Sequence, residues 1–134
     1  MEITTNLLDE LTVKAKASSR LRISYDLRNS TEDNSQRVLN VMEPGTIVDI
    51  HRHQNSSESA AVIRGKIKLN IYDDDGAVTE SFVVSANTPL SFYVLPIGTW
   101  HNCEVLESGT IMFEAKDGKY TPATSDDLLQ SKDY

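Results

Sequence analysis

The sequence predicts an all-β fold, a sandwich or barrel, with one short helix at its N-terminus. Three observations carry this. Nine short runs rich in β-branched and aromatic residues follow one another at close, regular spacing after residue 20. Turn formers separate them, among them Pro44-Gly45, Arg64-Gly65, Pro96-Ile97-Gly98 and Ser108-Gly109. Only one stretch, near the N-terminus, carries a helical period.

That stretch is 6–18. Thr5 is placed to cap it, Asp9 and Glu10 lie in its first turns, and Lys14 and Lys16 lie near its end, matching the helix dipole. Leu7, Leu8, Leu11 and Ala15 form an apolar stripe. Such a helix packs on the outside of the β structure and has no chemical role.

The strand runs are 21–27, 36–42, 47–52, 58–64, 66–72, 78–85, 91–95, 100–105 and 110–115. Pro44-Gly45 suits a type II turn, with proline second and glycine third, and introduces the run 47–52. The loop 54–57 is expected to reverse the chain and set Glu58 opposite His53. Arg64-Gly65-Lys66 reads as a tight hairpin. The organisation expected is an N-terminal helix over 1–19, a barrel over 20–116 and a polar, partly loose tail over 117–134.

Composition narrows the function. A chain of 134 residues that is 39% hydrophobic and 25% charged makes one ordinary globular domain with a real core. Its net charge of -7 argues against nucleic acid or an anionic membrane as partner, since both need a basic face. A single cysteine, Cys103, excludes an internal disulfide framework. The first residues lack a basic segment followed by an apolar run, and no run of 18 apolar residues occurs, so the expectation is a cytoplasmic protein.

The chemistry lies in the histidines. All three, His51, His53 and His101, fall in spaced patterns: Gly45-(x5)-His51-x-His53-(x4)-Glu58-(x6)-Gly65 and Pro96-x-Gly98-(x2)-His101. Residues i and i+2 of a strand share a face about 6.6 Å apart, so His51 and His53 project together. Only a closed β structure brings His101 onto them. Three neutral imidazoles and the Glu58 carboxylate would hold a divalent transition metal (iron, zinc, manganese or nickel) and leave positions for water or substrate. A structural zinc site would more often use cysteines.

Residues that would line a pocket are Tyr25, Tyr93, Trp100 and Cys103, with Arg22, Arg28, Arg37 and Asn40 ahead of the motif as contacts for an anionic or hydroxylated ligand. Each has a plainer reading. Cys103 is a small buried apolar group, the aromatic residues are core or rim packing, and the arginines are solvated or paired surface.

The first histidine pattern matches the first cupin motif at every fixed position, and the second resembles the centre of the second cupin motif. Leu90 stands where that motif usually has glycine, and Val105 where it usually has asparagine; neither position supplies a metal ligand. The stretches Ser24-Tyr25-Asp26-Leu27-Arg28, Gln36-Arg37-Val38-Leu39-Asn40, His51-Arg52-His53 and Phe113-Glu114-Ala115-Lys116-Asp117-Gly118 resemble the WbuC-type cupin-fold metalloproteins. The resemblance covers residues 18–122. It implies a double-stranded β-helix (a jelly-roll barrel) with the metal inside, a homodimer, and a sugar-derived ligand linked to surface-polysaccharide biosynthesis.

Three functions are compatible with this. The first is an enzyme, an isomerase or epimerase using the metal as a Lewis acid or an oxygenase using iron. The acid–base chemistry would then fall to Tyr25, Tyr93, Glu114 or a metal-bound hydroxide. The second is a non-catalytic, metal-dependent sensor or carbohydrate-binding module. The third is a structural metal. A titratable group beside an open metal site favours the enzyme; an apolar closure over the metal favours the structural role.

Overall fold

The computed structural model describes residues 1–129. It contains a helix α1 (Thr5–Ala17) and ten strands: β1 (Arg22–Asp26), β2 (Ser35–Met42), β3 (Ile50–His51), β4 (Glu58–Arg64), β5 (Lys66–Tyr72), β6 (Val78–Ser85), β7 (Phe92–Leu95), β8 (Trp100–Val105), β9 (Thr110–Asp117) and β10 (Leu128–Leu129). They form two five-stranded antiparallel sheets, in the orders β1-β2-β9-β4-β7 and β10-β3-β8-β5-β6.

Strand alternation explains how the layers stack. On β2, Met42 faces the core between the sheets, while Leu39 and Val41 face the other way. The inter-sheet core joins Met42, Ala60, Val62, Leu95 and Met112 of the first sheet to Ile67, Leu69, Val84 and Val105 of the second. Leu39, Val41 and Ile111 instead meet Leu11 and Ala15 of α1 on the outer face of the first sheet. The helical stripe read from the sequence is therefore the helix's docking face. The helix begins one residue earlier than expected: Thr4, rather than Thr5, is the cap, its Oγ1 accepting from Leu7 N at 3.2 Å.

Two local expectations are corrected. Neither 54–57 nor Arg64-Gly65-Lys66 makes a hairpin, because β3 and β4, and likewise β4 and β5, lie in different sheets. Both turns carry the chain across the core. At the second, Gly65 has φ +76°, and a Cβ there would lie 2.2 Å from Thr110 Oγ1 and 2.8 Å from Thr110 Cα. Glycine is required by both the backbone conformation and the close approach. At Pro44-Gly45 the expected turn is present, with Gly45 at φ +96° and Thr46 N donating to Glu43 O at 3.2 Å.

The histidine strand is shorter than the run 47–52, covering Ile50 and His51. The chain after Gly118 folds back beside it. A 3-10 turn at Ser125–Asp127 leads into β10, whose Leu128 and Leu129 pair with His51 and Ile50. Leu129 packs against the cluster of Ile50, Tyr72 and Trp100. Residues 130–134 of the expected tail lie outside the described residues.

Candidate metal centre

Each histidine is placed by a short piece of backbone. His51 on β3 and His101 on β8 are register partners, so their rings meet across the strand pair, with centroids 4.2 Å apart. His53 follows β3 by two residues; its ring centroid lies 5.1 Å from that of His51 and 5.6 Å from that of His101. One ligand atom from each of the three falls within 4.8 Å of the others.

Hydrogen bonds set which ring nitrogens point inward. His51 Nδ1 lies 2.8 Å from Asp49 O, and His101 Nδ1 lies 2.9 Å from Thr99 O. A carbonyl only accepts, so both Nδ1 atoms carry hydrogen and both neutral rings turn an Nε2 lone pair to the centre. Backbone carbonyls that fix ligand tautomers in this way are the usual support of a histidine metal site.

Glu58 enters from the opposite sheet as the first residue of β4. Its Oε2 lies 2.9 Å from His101 Nε2 and 3.6 Å from His53 Nε2. Among the described residues, His53 Nε2 and Glu58 Oε2 are buried without a hydrogen-bond partner. A carboxylate oxygen facing imidazole lone pairs in a buried site is unfavourable unless a cation joins them. A divalent metal among the four donors removes the conflict, so the donor set fits the metal read from the sequence.

Protons compete for the same atoms. Burial, and next the charge of His101, lower the pKa of His51. Burial holds His53 at about 4. Both are therefore neutral at physiological pH, as a metal ligand must be. His101 is raised: burial opposes its charge, but the Glu58 carboxylate 2.9 Å from its Nε2 outweighs it. Burial would raise Glu58, yet His101 and Lys116 bring it to about 2.

A cavity of about 340 Å³ opens beside the cluster. His51, His101, Tyr93, Cys103 and Asn40 line it, as do Glu114, Arg20, Arg22, Ser24 and Tyr120. Tyr25 and Arg37, expected in the pocket, lie elsewhere. Tyr25 packs in the cluster beneath α1, and Arg37 pairs with Asp33 at 2.8 Å. The sequence pattern passed over Arg20, Ser24 and Tyr120. Ser24 was findable, since it shares a face of β1 with Arg22, which the sequence did offer, and pairs with Asn40. Tyr120 comes from beyond β9 and carries no sequence signal.

Glu114 is the titratable group of the cavity wall. Asn40 Nδ2 donates to its Oε2 at 2.6 Å, and Ser24 Oγ donates to Asn40 Oδ1 at 2.9 Å. Burial and then the charge of Glu58 push Glu114 up to about 8. Burial raises Tyr93, and pushes Cys103 up to about 12, so both enter the cavity protonated.

The family described as "Domain of unknown function (DUF6016)" matches residues 3–84, more than half of the chain. The chain belongs to this family. No curated protein matches this DUF6016 chain in sequence. Its fold is shared with solved cupin-fold proteins. KdgF from Halomonas sp. superposes with a TM-score of 0.60 at 14% identity, over 74% of this chain and 82% of that one. Oxalate decarboxylase from Bacillus subtilis superposes with a TM-score of 0.58 at 22% identity, over 81% of this chain and 27% of that one. The DUF6016 chain thus spans about a quarter of the decarboxylase, a protein described with Mn(II) centres. These likenesses establish the jelly-roll cupin fold. No helix of the DUF6016 chain, among the described residues, is long and apolar enough to cross a membrane.

Proposed function

We propose that this chain is a metal-dependent enzyme of the WbuC-like kind, acting in the cytoplasm on a sugar-derived small molecule. His51, His53, His101 and Glu58 would hold iron, zinc, manganese or nickel. The observation that carries the reading is Glu114, a carboxyl group in the wall of the same open cavity as the histidine cluster. A structural metal needs no such neighbour, and a cavity of about 340 Å³ is in the range of small-molecule sites.

A metal there would supply Lewis acidity toward a carbonyl or hydroxyl oxygen, or oxygen chemistry if it is iron. The chain supplies the rest. Glu114 accepts or returns a proton on the substrate side of the site. Asn40 fixes the Glu114 oxygen, and Ser24 fixes Asn40, so the carboxyl group is oriented before substrate arrives. Tyr93, with its hydroxyl protonated, offers a hydrogen bond to a substrate oxygen.

Elemental mass spectrometry of protein purified without chelators gives the metal, and proton NMR of sugar derivatives incubated with that protein reads turnover. Glu114→Gln should keep the metal and lose turnover. Parental turnover in that variant overturns the role of Glu114. Tight ligand binding without turnover in the parent makes the chain a binding or sensor protein instead. We also propose a homodimer, which sedimentation equilibrium tests.

A further inference from the structure

We infer that the ligand of this cavity carries an oxyanion, a carboxylate or a phosphate, and that Arg22 binds it, with Arg20 close by. This rests on the reading of the cavity as a substrate site and adds the chemical class of the substrate.

The observation is where the arginines find their partners. The chain has six: Arg20, Arg22, Arg28, Arg37, Arg52 and Arg64. Three are paired with aspartates at 2.8–2.9 Å: Arg28 with Asp26, Arg37 with Asp33 and Arg64 with Asp9. Arg52 stacks over Trp100, 4.4 Å from the ring centroid. Among the described residues, the guanidinium groups of Arg20 and Arg22 alone have no hydrogen-bond, ion-pair or ring partner. These two are the arginines that line the cavity.

Such a vacancy is unexpected in this chain. With 20 acidic residues against 13 basic ones, partners for arginine are plentiful. Arg22 is half-buried; burial, then the charge of Arg20, works against its positive charge, while Asp49, Cys103 and Glu114 favour it without forming an ion pair or hydrogen bond with it. A half-buried cation with no directly paired group, beside a second cation, gains when an anion arrives. The planar guanidinium fork matches a carboxylate or phosphate bidentately.

The geometry leads from this group to the chemistry. Arg22 and Ser24 share a face of β1. Ser24 bonds to Asn40, and Asn40 bonds to Glu114 in the wall shared with His51 and His101. A ligand held at Arg22 by its anionic end would therefore present its hydroxylated part to Glu114 and the histidines.

The test is calorimetric titration of the intact, metal-loaded protein with D-glucose, D-glucuronate and glucose 6-phosphate at fixed ionic strength. The same titrations are run on Arg22→Gln and on Arg64→Gln, which makes the same charge change away from the cavity. At least one anionic sugar should bind the parent about tenfold or more tighter than glucose, the order expected of a charge-assisted bidentate contact. Arg22→Gln should erase that preference and Arg64→Gln should keep it. Which anion wins separates a carboxylate from a phosphate ligand. Equal affinity for all three sugars, no binding of either anion at millimolar concentration, or a preference that survives Arg22→Gln overturns the inference. Metal content is measured on the same samples. A chain that holds no metal yet discriminates anions through Arg22 loses the metal reading and keeps this one. A metal-loaded chain indifferent to ligand charge does the reverse.

Discussion

Glu58 Oε2 and His101 Nε2 lie 2.9 Å apart and belong to different sheets, one opening β4 and the other on β8. The pair joins the two layers inside the core. Any cation bound there, a proton or a metal, answers to both sheets.

Replacing a metal ligand should separate metal binding from folding. His51→Ala and His101→Ala should each lower metal affinity by at least the 10–100-fold typical of losing even an outer partner of a metal site. Elemental mass spectrometry after dialysis measures this. Circular dichroism should stay β-rich, because no histidine belongs to the main inter-sheet cluster. Dialysis to below about pH 4, where His53 too takes up a proton, should empty the parent site, since ligating imidazoles must be neutral. Retention of metal at that pH would count against histidine ligation.

Gly65→Ala should be among the most damaging small substitutions. The new Cβ meets the backbone and side chain of Thr110 and sits at a positive φ. A loss of about 2 kcal/mol or more is expected, read as a lower denaturation midpoint in urea. A midpoint within error of the parent would show that β9 yields easily at Thr110.

Leu11→Ala should cost about 2–5 kcal/mol. Leu11 is 3% exposed and fills the contact between α1 and the outer face of the first sheet. The metal content of the folded fraction should stay at the parent level, because this face is turned away from the histidines. Thr4→Ala, which removes only the exposed cap, should cost about 1 kcal/mol.

Acid should loosen the C-terminal segment. Asp127 accepts from Gln54 Nε2 and from the backbone and hydroxyl of Thr124, and these bonds, Gln54 first, lower its pKa below 3.8. A depressed carboxylate stabilises above its unfolded value and ceases to as pH falls through the folded value. Hydrogen exchange at residues 124–129 should therefore be slow at neutral pH, after correction for intrinsic rates, and speed up below about pH 4. Asp127→Asn should bring the faster exchange to neutral pH. Unchanged protection in that variant would assign the docking to the backbone pairing of β10 with β3 and the packing of Leu129.

Much of this architecture was legible in the chain because period and spacing are local signals. The alternation of β2, the stripe of α1 and the three histidines could be read directly. Layer crossing could not. Arg64-Gly65-Lys66 looks like a hairpin because it has hairpin residues, and only the contact of Gly65 with Thr110, 45 residues on, shows that it bridges sheets. The cavity was legible where a residue sat near the histidine motif, as Cys103 did. It was illegible where charge misled. Arg22 and Arg37 look equivalent in sequence, and only the position of Asp33 makes one of them satisfied and leaves the other facing the cavity.

The two-residue pairing of β10 with β3 has a consequence for how the molecule meets others. Without it, the strand bearing His51 would be the rim of its sheet, with open backbone donors and acceptors on the rim side. An exposed rim invites strand addition from another chain. Shortening the protein after Gly118 would therefore do more than trim a terminus, because it would leave the histidine strand open to self-association and aggregation.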